Sequence, residues 1–313
     1  MKTVLVTGAT GFIGRWTIPM LKSQGFSVHA ISSKPINNFN DTATWYTCDL
    51  RDQKAVDSVV KEISPSHLLH LAWYTKPSDY WTSPENIQWI NASFNLLRSF
   101  QNVGGTRVVT GGTCAEYDWQ YGYCSEFLTP SKPSSIYGIT KGTLFQIQKK
   151  VTESDGISSA WGRIFFLYGP HEYPERYIPS IIRSILSNRP YICRNGNLIR
   201  DYLFVQDVAS AFISILNSTV EGPINIASGI PISLKDISMK IFLKMTNNLN
   251  NLQFGNIKPD EKEYPIILAN TNRLNNELGW KPQTDIDKGL DITIEWWKKQ
   301  VFSDGRIVQD NSS

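Results

Sequence analysis

Apolar and polar positions fall into alternating blocks along the first half of the chain. Short runs of β-branched and aliphatic residues are separated by longer segments in which apolar residues recur every three or four positions. The first pattern is typical of buried strands, and the second is typical of helices that cover a sheet. The predicted strands span residues 3–7, 26–32, 67–72, 107–112 and 157–165. The predicted helices lie near residues 12–24, 52–63, 84–101 and 137–153.

This alternation predicts an α/β fold, a doubly wound parallel sheet with helices on both faces. From about residue 171 prolines interrupt shorter elements, and the Asn-rich stretch 244–256 is typical of a loop. We predict a sheet domain over residues 1–170 and a smaller α/β lobe over 171–302, some segments of which return to the first domain. Residues 303–313 form a predicted flexible tail.

Three glycines spaced three residues apart, Gly8, Gly11 and Gly14, directly follow the first predicted strand. In a strand–turn–helix unit one such glycine forms the turn, one lets the main chain approach a pyrophosphate, and one allows close helix–strand packing. Free N–H groups at the start of the following helix then bind the phosphates. The glycines therefore predict a nucleotide site.

Composition excludes several classes of protein. The chain has 313 residues, 41% of them hydrophobic and 19% charged, and its net charge of +3 is too small to favour nucleic acid or an anionic membrane as a partner. No apolar run approaches the ~18–20 residues of a membrane span. A strand that begins near residue 2 predicts no removable leader, and we expect a cytoplasmic protein.

The metal-binding residue types do not form a site in the sequence. The four cysteines are scattered, which is typical of reduced thiols and not of a zinc site. His67 and His70 lie three apart on a predicted strand, so they face opposite sides and do not share an ion. We predict no metal.

Tyr137 and Lys141 form the only Tyr-x-x-x-Lys pair in the chain, at the start of a predicted helix. A spacing of four places both on one helix face. A phenol with a pKa near 10 is a poor acid or base at neutral pH, and a nearby ammonium lowers that pKa toward the working range. The pair predicts proton transfer. A hydroxyl partner is expected at the crevice end of a central strand, where the stretch RVVTGGTCAEY offers Thr110 and Thr113, both interpreted as lying past the strand's end.

The motifs TGATGFIG, TCAEY, YGITK, RIFFLYGP and RDYLFVQDVASA occur in this order and resemble those of the nucleotide-sugar epimerase/dehydratase branch of the extended short-chain dehydrogenase/reductases. The resemblance runs from residue 1 to about 298. It implies an NAD(P)-binding Rossmann domain, a smaller C-terminal substrate domain, a nucleotide-sugar substrate and a homodimer.

The resemblance also implies roles for individual residues. Thr113, four residues before Tyr117, becomes the hydroxyl partner in preference to Thr110, so the implied catalytic set is Thr113, Tyr137 and Lys141. The implied substrate contacts are Thr113, Glu116, Tyr137, Phe166 and Arg200. The implied cofactor contacts are Gly8, Thr10, Gly11, Phe12, Ile13, Gly14, Ser32, Ser33, Lys34, Asp49, Leu50, Leu71, Ala72, Tyr137 and Lys141. Glu126 and an aromatic cluster around it either line the sugar pocket or simply pack in the core, and the sequence leaves both open. The cluster consists of Tyr117, Trp119, Tyr121 and Tyr123.

Two departures from the family pattern narrow the reaction. Dehydratases of the family carry Asp-Glu directly after the hydroxyl residue, where this chain has Cys114 and Ala115. Relatives that epimerise C3 and C5 use a Cys and a His, whose positions here hold Ala115 and Arg176. What remains is hydride transfer at C4, and the resemblance is nearest to reductases of NDP-4-keto-6-deoxyhexoses in deoxysugar synthesis.

The end of the second predicted strand bears on the cofactor. NAD-binding members place there an acidic residue that bonds the ribose hydroxyls and repels a 2′-phosphate. This chain has Ser32, Ser33 and Lys34, with no acid until Asp41. We therefore favour NADP(H) over NAD(H). A preference for NADP(H) suits a reductase. The alternatives are a 4-epimerase that retains NAD and an inactive nucleotide-binding regulatory subunit.

Overall fold

The computed structural model describes residues 2–36, 42–77, 79–246, 248–255 and 263–303. The strands in these ranges are β1 (Thr3–Thr7), β2 (Ser27–Ser32), β3 (Thr44–Thr47), β4 (His67–His70), β5 (Arg107–Thr113), β6 (Tyr123–Cys124), β7 (Ser158–Ile164), β8 (Phe166–Tyr168), β9 (Tyr191–Cys193), β10 (Ile199–Phe204), β11 (Gly222–Ile226), β12 (Pro231–Ser233), β13 (Leu252–Phe254) and β14 (Ile266–Ala269). The α-helices are α1 (Gly14–Ser23), α2 (Gln53–Ile63), α3 (Glu85–Asn102), α4 (Ile136–Asp155), α5 (Tyr177–Leu186), α6 (Val205–Asn217), α7 (Leu234–Met245) and α8 (Ile286–Ser303). Asp41 and residues 304–313 of the predicted tail lie outside the described residues.

Seven parallel strands form the large sheet, in the order β11-β7-β5-β4-β1-β2-β3. Central strands such as β5 are buried along their whole length because helices cover both faces of the sheet. One core cluster packs α1 and α6 against the sheet, and another packs α2 and α3 against its other face. The predicted doubly wound parallel sheet is confirmed. Its strand order reverses beside β1, where ligands bind in such folds.

Two local features differ from the sequence prediction. The edge strand β3 was not predicted, because its four residues, Thr44–Thr47, are only partly buried and lack the apolar signal of a central strand. β5 continues to Thr113, so Thr110 and Thr113 both lie within it. The other predicted strands and helices of the first 165 residues occur within a few residues of their expected bounds.

The second half of the chain adds smaller units. β12, β10, β14 and β6 form a mixed sheet on which β8 also pairs, and β13 pairs with β9. Helices α5, α7 and α8 enclose a separate apolar cluster that includes Ile181, Phe242 and Leu290. β11 pairs with β7, so the large sheet takes one strand from beyond residue 171. The domain boundary at residue 170 stays a prediction. No helix in the described ranges is long and apolar enough to cross a membrane.

Candidate active site

A cavity of about 710 Å³ extends along the carboxyl ends of the large sheet's strands. It is bounded by the turns after β1 and β4, the ends of β2, β5 and β7, and the loop before α5. Most of the predicted site residues share its wall: Gly8, Thr10, Gly11, Phe12, Ile13, Gly14, Ser32, Ser33, Asp49, Leu50, Leu71, Ala72, Thr113, Tyr137 and Phe166.

The glycine turn is shaped by contacts that leave no room for side chains. Gly8 has a φ of +68°, and a Cβ there would lie 2.7 Å from the backbone nitrogen of Ala72. A Cβ on Gly14 would overlap the carbonyl oxygen of Gly8. Helix α1 begins at Gly14 with no side-chain cap on its first N–H groups and no acidic residue in its first turn. The first N–H groups of α1 are uncapped by side chains, and the glycines let the main chain approach a ligand closely. Such a turn fits a pyrophosphate.

The end of β2 presents hydroxyls to the cavity. Ser32 Oγ donates to the carbonyl oxygen of Lys34 at 2.8 Å and accepts from its backbone nitrogen at 3.2 Å. Ser32 and Ser33 line the cavity, whereas the exposed Lys34 lies next to it without forming part of its wall. Asp49 is held by the Arg51 guanidinium at 2.8 Å, and this hydrogen bonding lowers the pKa of the Asp49 carboxyl.

Tyr137 and Thr113 meet at the other end of the cavity. Ser135 caps α4 by accepting a hydrogen bond from Gly138, which fixes the first helical turn and Tyr137 within it. Tyr137 is nearly buried. Burial, and then Tyr80, raises the pKa of the Tyr137 phenol well above its ordinary value, while a hydrogen bond with Thr113 opposes that rise. Tyr137 therefore holds its proton, as a proton donor requires.

Lys141 lies one helical turn from Tyr137 and beneath the cavity wall. Its Nζ donates to the carbonyl oxygen of Gly111 at 2.7 Å and lies 3.9 Å from the ring centroid of Trp73. Burial lowers the pKa of Lys141 to about 7, and the carboxylate of Glu116 partly opposes this. The ammonium thus sits between the end of β5 and the segment after β4.

An aromatic group encloses Tyr137. The rings of Tyr80 and Trp81 lie 5.0 and 5.7 Å from the Tyr137 ring, both edge to face. Arg176 donates to the hydroxyl of Tyr80 at 3.2 Å. These residues line the cavity together with Trp119, the one member of the predicted aromatic cluster that does so within the described chain. This half of the cavity is therefore largely aromatic.

Two of the predicted substrate residues, Glu116 and Arg200, stand away from the cavity wall. Glu116 was expected to contact substrate, but it is fully buried and accepts from Arg163 Nε at 2.8 Å, from Trp161 Nε1 at 2.8 Å and from the Thr113 backbone at 2.9 Å. Its oxygens hold β5 and β7 together, and its contact with substrate stays a prediction. Arg200 lies behind the wall, its guanidinium 5.5 Å from the ring of Phe166.

Other hydroxyls and imidazoles near the sheet have internal partners. Thr110 donates to Gln148 at 2.7 Å, which removes it from the cavity and leaves Thr113 as the hydroxyl beside Tyr137. His70 bonds Thr7 and Ser93, and burial lowers its pKa to about 3. His67 bonds Ser66 instead. Among the described residues no group of three or more His, Cys, Asp or Glu side chains could hold a metal ion.

The wall residues that were not predicted as binding residues include four polar ones, Tyr80, Glu172, Arg176 and Tyr202. They come from the loops before α3 and α5 and from β10. Their segments carry no spacing that marks a site, because the surface they form is assembled from parts of the chain that are far apart in sequence. The run Gly-Pro-His-Glu after β8 was the available signal, since glycine and proline next to a strand end are typical of a turn at the ligand crevice.

Known proteins are similar to this chain over nearly its whole length. The chain is 28% identical to CDP-abequose synthase of Salmonella typhimurium, over 93% of this chain and 97% of that protein. It is 26% identical to UDP-glucuronate 4-epimerase of Thermodesulfobacterium geofontis, over 95% and 96%. The structure of Thermus thermophilus UDP-glucose 4-epimerase in complex with NAD superposes with a TM-score of 0.81, at 22% identity and with 95% and 99% of the two chains covered.

A family model covers most of the same region. The model of the NAD dependent epimerase/dehydratase family matches residues 4–227, which contain the glycine turn, Thr113, Tyr137 and Lys141. The chain belongs to the NAD dependent epimerase/dehydratase family.

Proposed function

We propose that this protein reduces the C4 keto group of a nucleotide-linked 4-keto-6-deoxyhexose, with NADP(H) favoured over NAD(H). The observation that carries the proposal is the joint position of Thr113 and a protonated Tyr137 in the same cavity as the glycine turn. The similarity to CDP-abequose synthase supports a deoxysugar substrate. Cys114 and Ala115 follow Thr113 in place of carboxylates, which disfavours dehydration.

The residues present fit a dinucleotide. Gly8, Gly11 and the start of α1 would hold its pyrophosphate, and Ser32 and Ser33 would face the adenosine ribose. Lys34 would add a cation near a 2′-phosphate. When bound, the reduced nicotinamide supplies the hydride that converts the C4 carbonyl to an alcohol.

Side chains of the protein donate the proton and stabilise the negative charge that develops on the C4 oxygen. Tyr137 donates its phenolic proton to the C4 oxygen as negative charge develops there. Thr113 hydrogen-bonds the same oxygen, so its contribution is greatest in the transition state. Lys141 orients the nicotinamide ribose and stabilises the phenolate left after proton transfer. The aromatic wall of Tyr80 and Trp81 excludes water from this step.

The proposal is tested with the purified protein and a dTDP- or CDP-linked 4-keto-6-deoxyglucose. We expect oxidation of NADPH that depends on the keto sugar, faster than oxidation of NADH, and a product alcohol at C4. Mass spectrometry of co-purified ligands, run beforehand, reports which dinucleotide the protein carries. We also expect a cytoplasmic homodimer, which fractionation and light scattering check.

Two other results would replace the proposal. Retained NAD with interconversion of UDP-glucose and UDP-galactose in the absence of added cofactor would assign a 4-epimerase. Measurable NADPH binding with no turnover of any keto sugar would assign a nucleotide-binding regulatory subunit.

A further inference from the structure

The loop between β8 and α5 has an unusual backbone. Gly169 and His171 both have positive φ, 151° and 72°, and His171 is one of few non-glycine residues in the described chain with that conformation. The His171 ring packs against Trp16 of α1 and Trp296 of α8, with centroids 6.1 and 4.7 Å away. These contacts lie outside the cavity and hold the loop in a conformation that places the next residue, Glu172, in the cavity wall.

Glu172 has a carboxyl oxygen with no partner. The residue is nine-tenths buried, with 9% of its surface exposed, and it lines the same cavity as Thr113 and Tyr137. Its Oε2 is fully buried and has no hydrogen-bond partner among the described residues. Buried polar atoms are nearly always paired, so an unpaired one in a cavity wall points to a ligand that supplies the partner.

One charged side chain and one phenol from other elements lie near Glu172. Arg176, at the start of α5, lies close enough to attract the carboxylate but already donates to Tyr80. Tyr202 of β10 is the nearby phenol. Burial outweighs both Arg176 and a backbone hydrogen bond from Gly169, and it raises the pKa of the Glu172 carboxyl to about 8. At neutral pH the group is therefore mostly a neutral acid, able to donate one hydrogen bond and to accept others.

We propose that Glu172 determines specificity in the sugar subsite: its carboxyl hydrogen-bonds a hydroxyl of the bound sugar, and it selects neutral sugars over sugars with a carboxylate at C6. This inference rests on the proposed nucleotide-sugar function. A hydroxyl complements either oxygen of the carboxyl. A sugar carboxylate in the same enclosed space would bring two acidic groups together, so that either both charges repel or one proton must be shared.

Three variants separate this role from a structural one. Glu172→Gln keeps the shape and the hydrogen-bonding capacity but cannot become charged. Glu172→Leu removes both. Glu175→Gln is the matched control, because Glu175 is exposed, three residues away in the same loop and outside the cavity wall.

The test is isothermal titration of the NADP-loaded protein at pH 7. The glucose conjugates of UDP, dTDP, CDP and GDP identify the accepted nucleotide. That nucleoside diphosphate alone, its glucose conjugate and its C6-oxidised glucuronate conjugate are then titrated into each variant. We expect the wild type to bind the glucose conjugate at least tenfold more tightly than the glucuronate conjugate. Glu172→Gln should reduce that ratio at least fivefold, chiefly by binding the glucuronate conjugate more tightly.

The remaining variants complete the pattern. Glu172→Leu should weaken the glucose conjugate at least fivefold while the nucleoside diphosphate binds within twofold of wild type, and Glu175→Gln should match the wild type throughout. A wild-type ratio in Glu172→Gln, or a wild-type preference for glucuronate, overturns the inference and leaves the proposed function standing. Failure of every nucleotide sugar to bind the wild type overturns both.

Discussion

The two halves of the cavity are made in different ways. The half that contains Gly8 and Gly14 is formed by main-chain atoms of one short stretch, together with the strand ends beside it. The half around Tyr137 is formed by side chains from segments far apart in sequence, among them Tyr80, Glu172 and Tyr202. A site formed by backbone has a spacing that the sequence shows directly, whereas a site formed by converging side chains becomes visible only once the chain is folded.

The largest expected effect separates chemistry from binding. Tyr137→Phe removes the phenol that we propose as the proton donor and keeps the ring that packs against Tyr80, so the fold and the half of the cavity around the glycine turn should stay intact. We expect kcat for the keto sugar to fall about 10²–10⁴-fold, with dinucleotide affinity nearly unchanged. Steady-state kinetics and calorimetric titration measure the two quantities.

Tyr121→Phe is the control for that variant, since Tyr121 is an exposed tyrosine outside the cavity wall. Turnover of Tyr137→Phe close to that of the control would contradict the assignment of Tyr137 as the acid.

The next-largest effect concerns the half of the cavity that contains Gly8 and Gly14. In Gly14→Ala the new Cβ overlaps the Gly8 carbonyl, so the turn must shift. We expect about a tenfold or larger loss of dinucleotide affinity, and a loss of stability of about 1–3 kcal/mol. Titration calorimetry and thermal unfolding measure these changes.

Gly142→Ala is the matched substitution in α4. Its Cβ would meet Ser131 Oγ at 3.5 Å, an ordinary contact, and alanine favours a helix interior by about 0.5–1 kcal/mol. We therefore expect unchanged affinity and equal or higher stability. Equal losses in both variants would mean that the close approach at Gly14 is unimportant.

The smallest effect tests the cofactor preference at the edge of the cavity. Lys34→Ala should weaken NADPH about three- to fivefold and leave NADH unchanged, because an exposed cation contributes about 0.2–1 kcal/mol to a charge pair. The difference should shrink as salt is added. Lys22→Ala, an exposed lysine in the last turn of α1, is the control. Equal losses for the two dinucleotides would argue against a 2′-phosphate contact.

Features that depend on local rules could be predicted from the sequence. The buried strands, the glycine turn and the Tyr137–Lys141 spacing each follow from hydrophobic pattern or helix geometry, and the first half of the fold agrees with them. The sequence assigned Glu116 to the substrate because its motif position matched the family. The structure uses that carboxylate to pair Arg163, a contact between residues 47 apart that no local pattern reveals.

Glu172 is the reverse case, a residue of the cavity wall that the sequence did not assign to the site. No motif marked Glu172. The features that distinguish it are its burial, a carboxyl oxygen without a hydrogen-bond partner and the loop conformation at His171, and these are visible only in the folded chain. The exposed edge strand β3 was missed for a related reason, because partial burial leaves only a weak apolar pattern.

The aromatic wall of the cavity also gives the protein an optical property. Four of its ten tryptophans, Trp73, Trp81, Trp89 and Trp119, line the space. A reduced nicotinamide ring absorbs light in the range where indole emits, so a dinucleotide bound there would quench their fluorescence by energy transfer. Occupancy of the cavity can therefore be followed in the unlabelled protein, by the decrease in the intensity of its tryptophan emission.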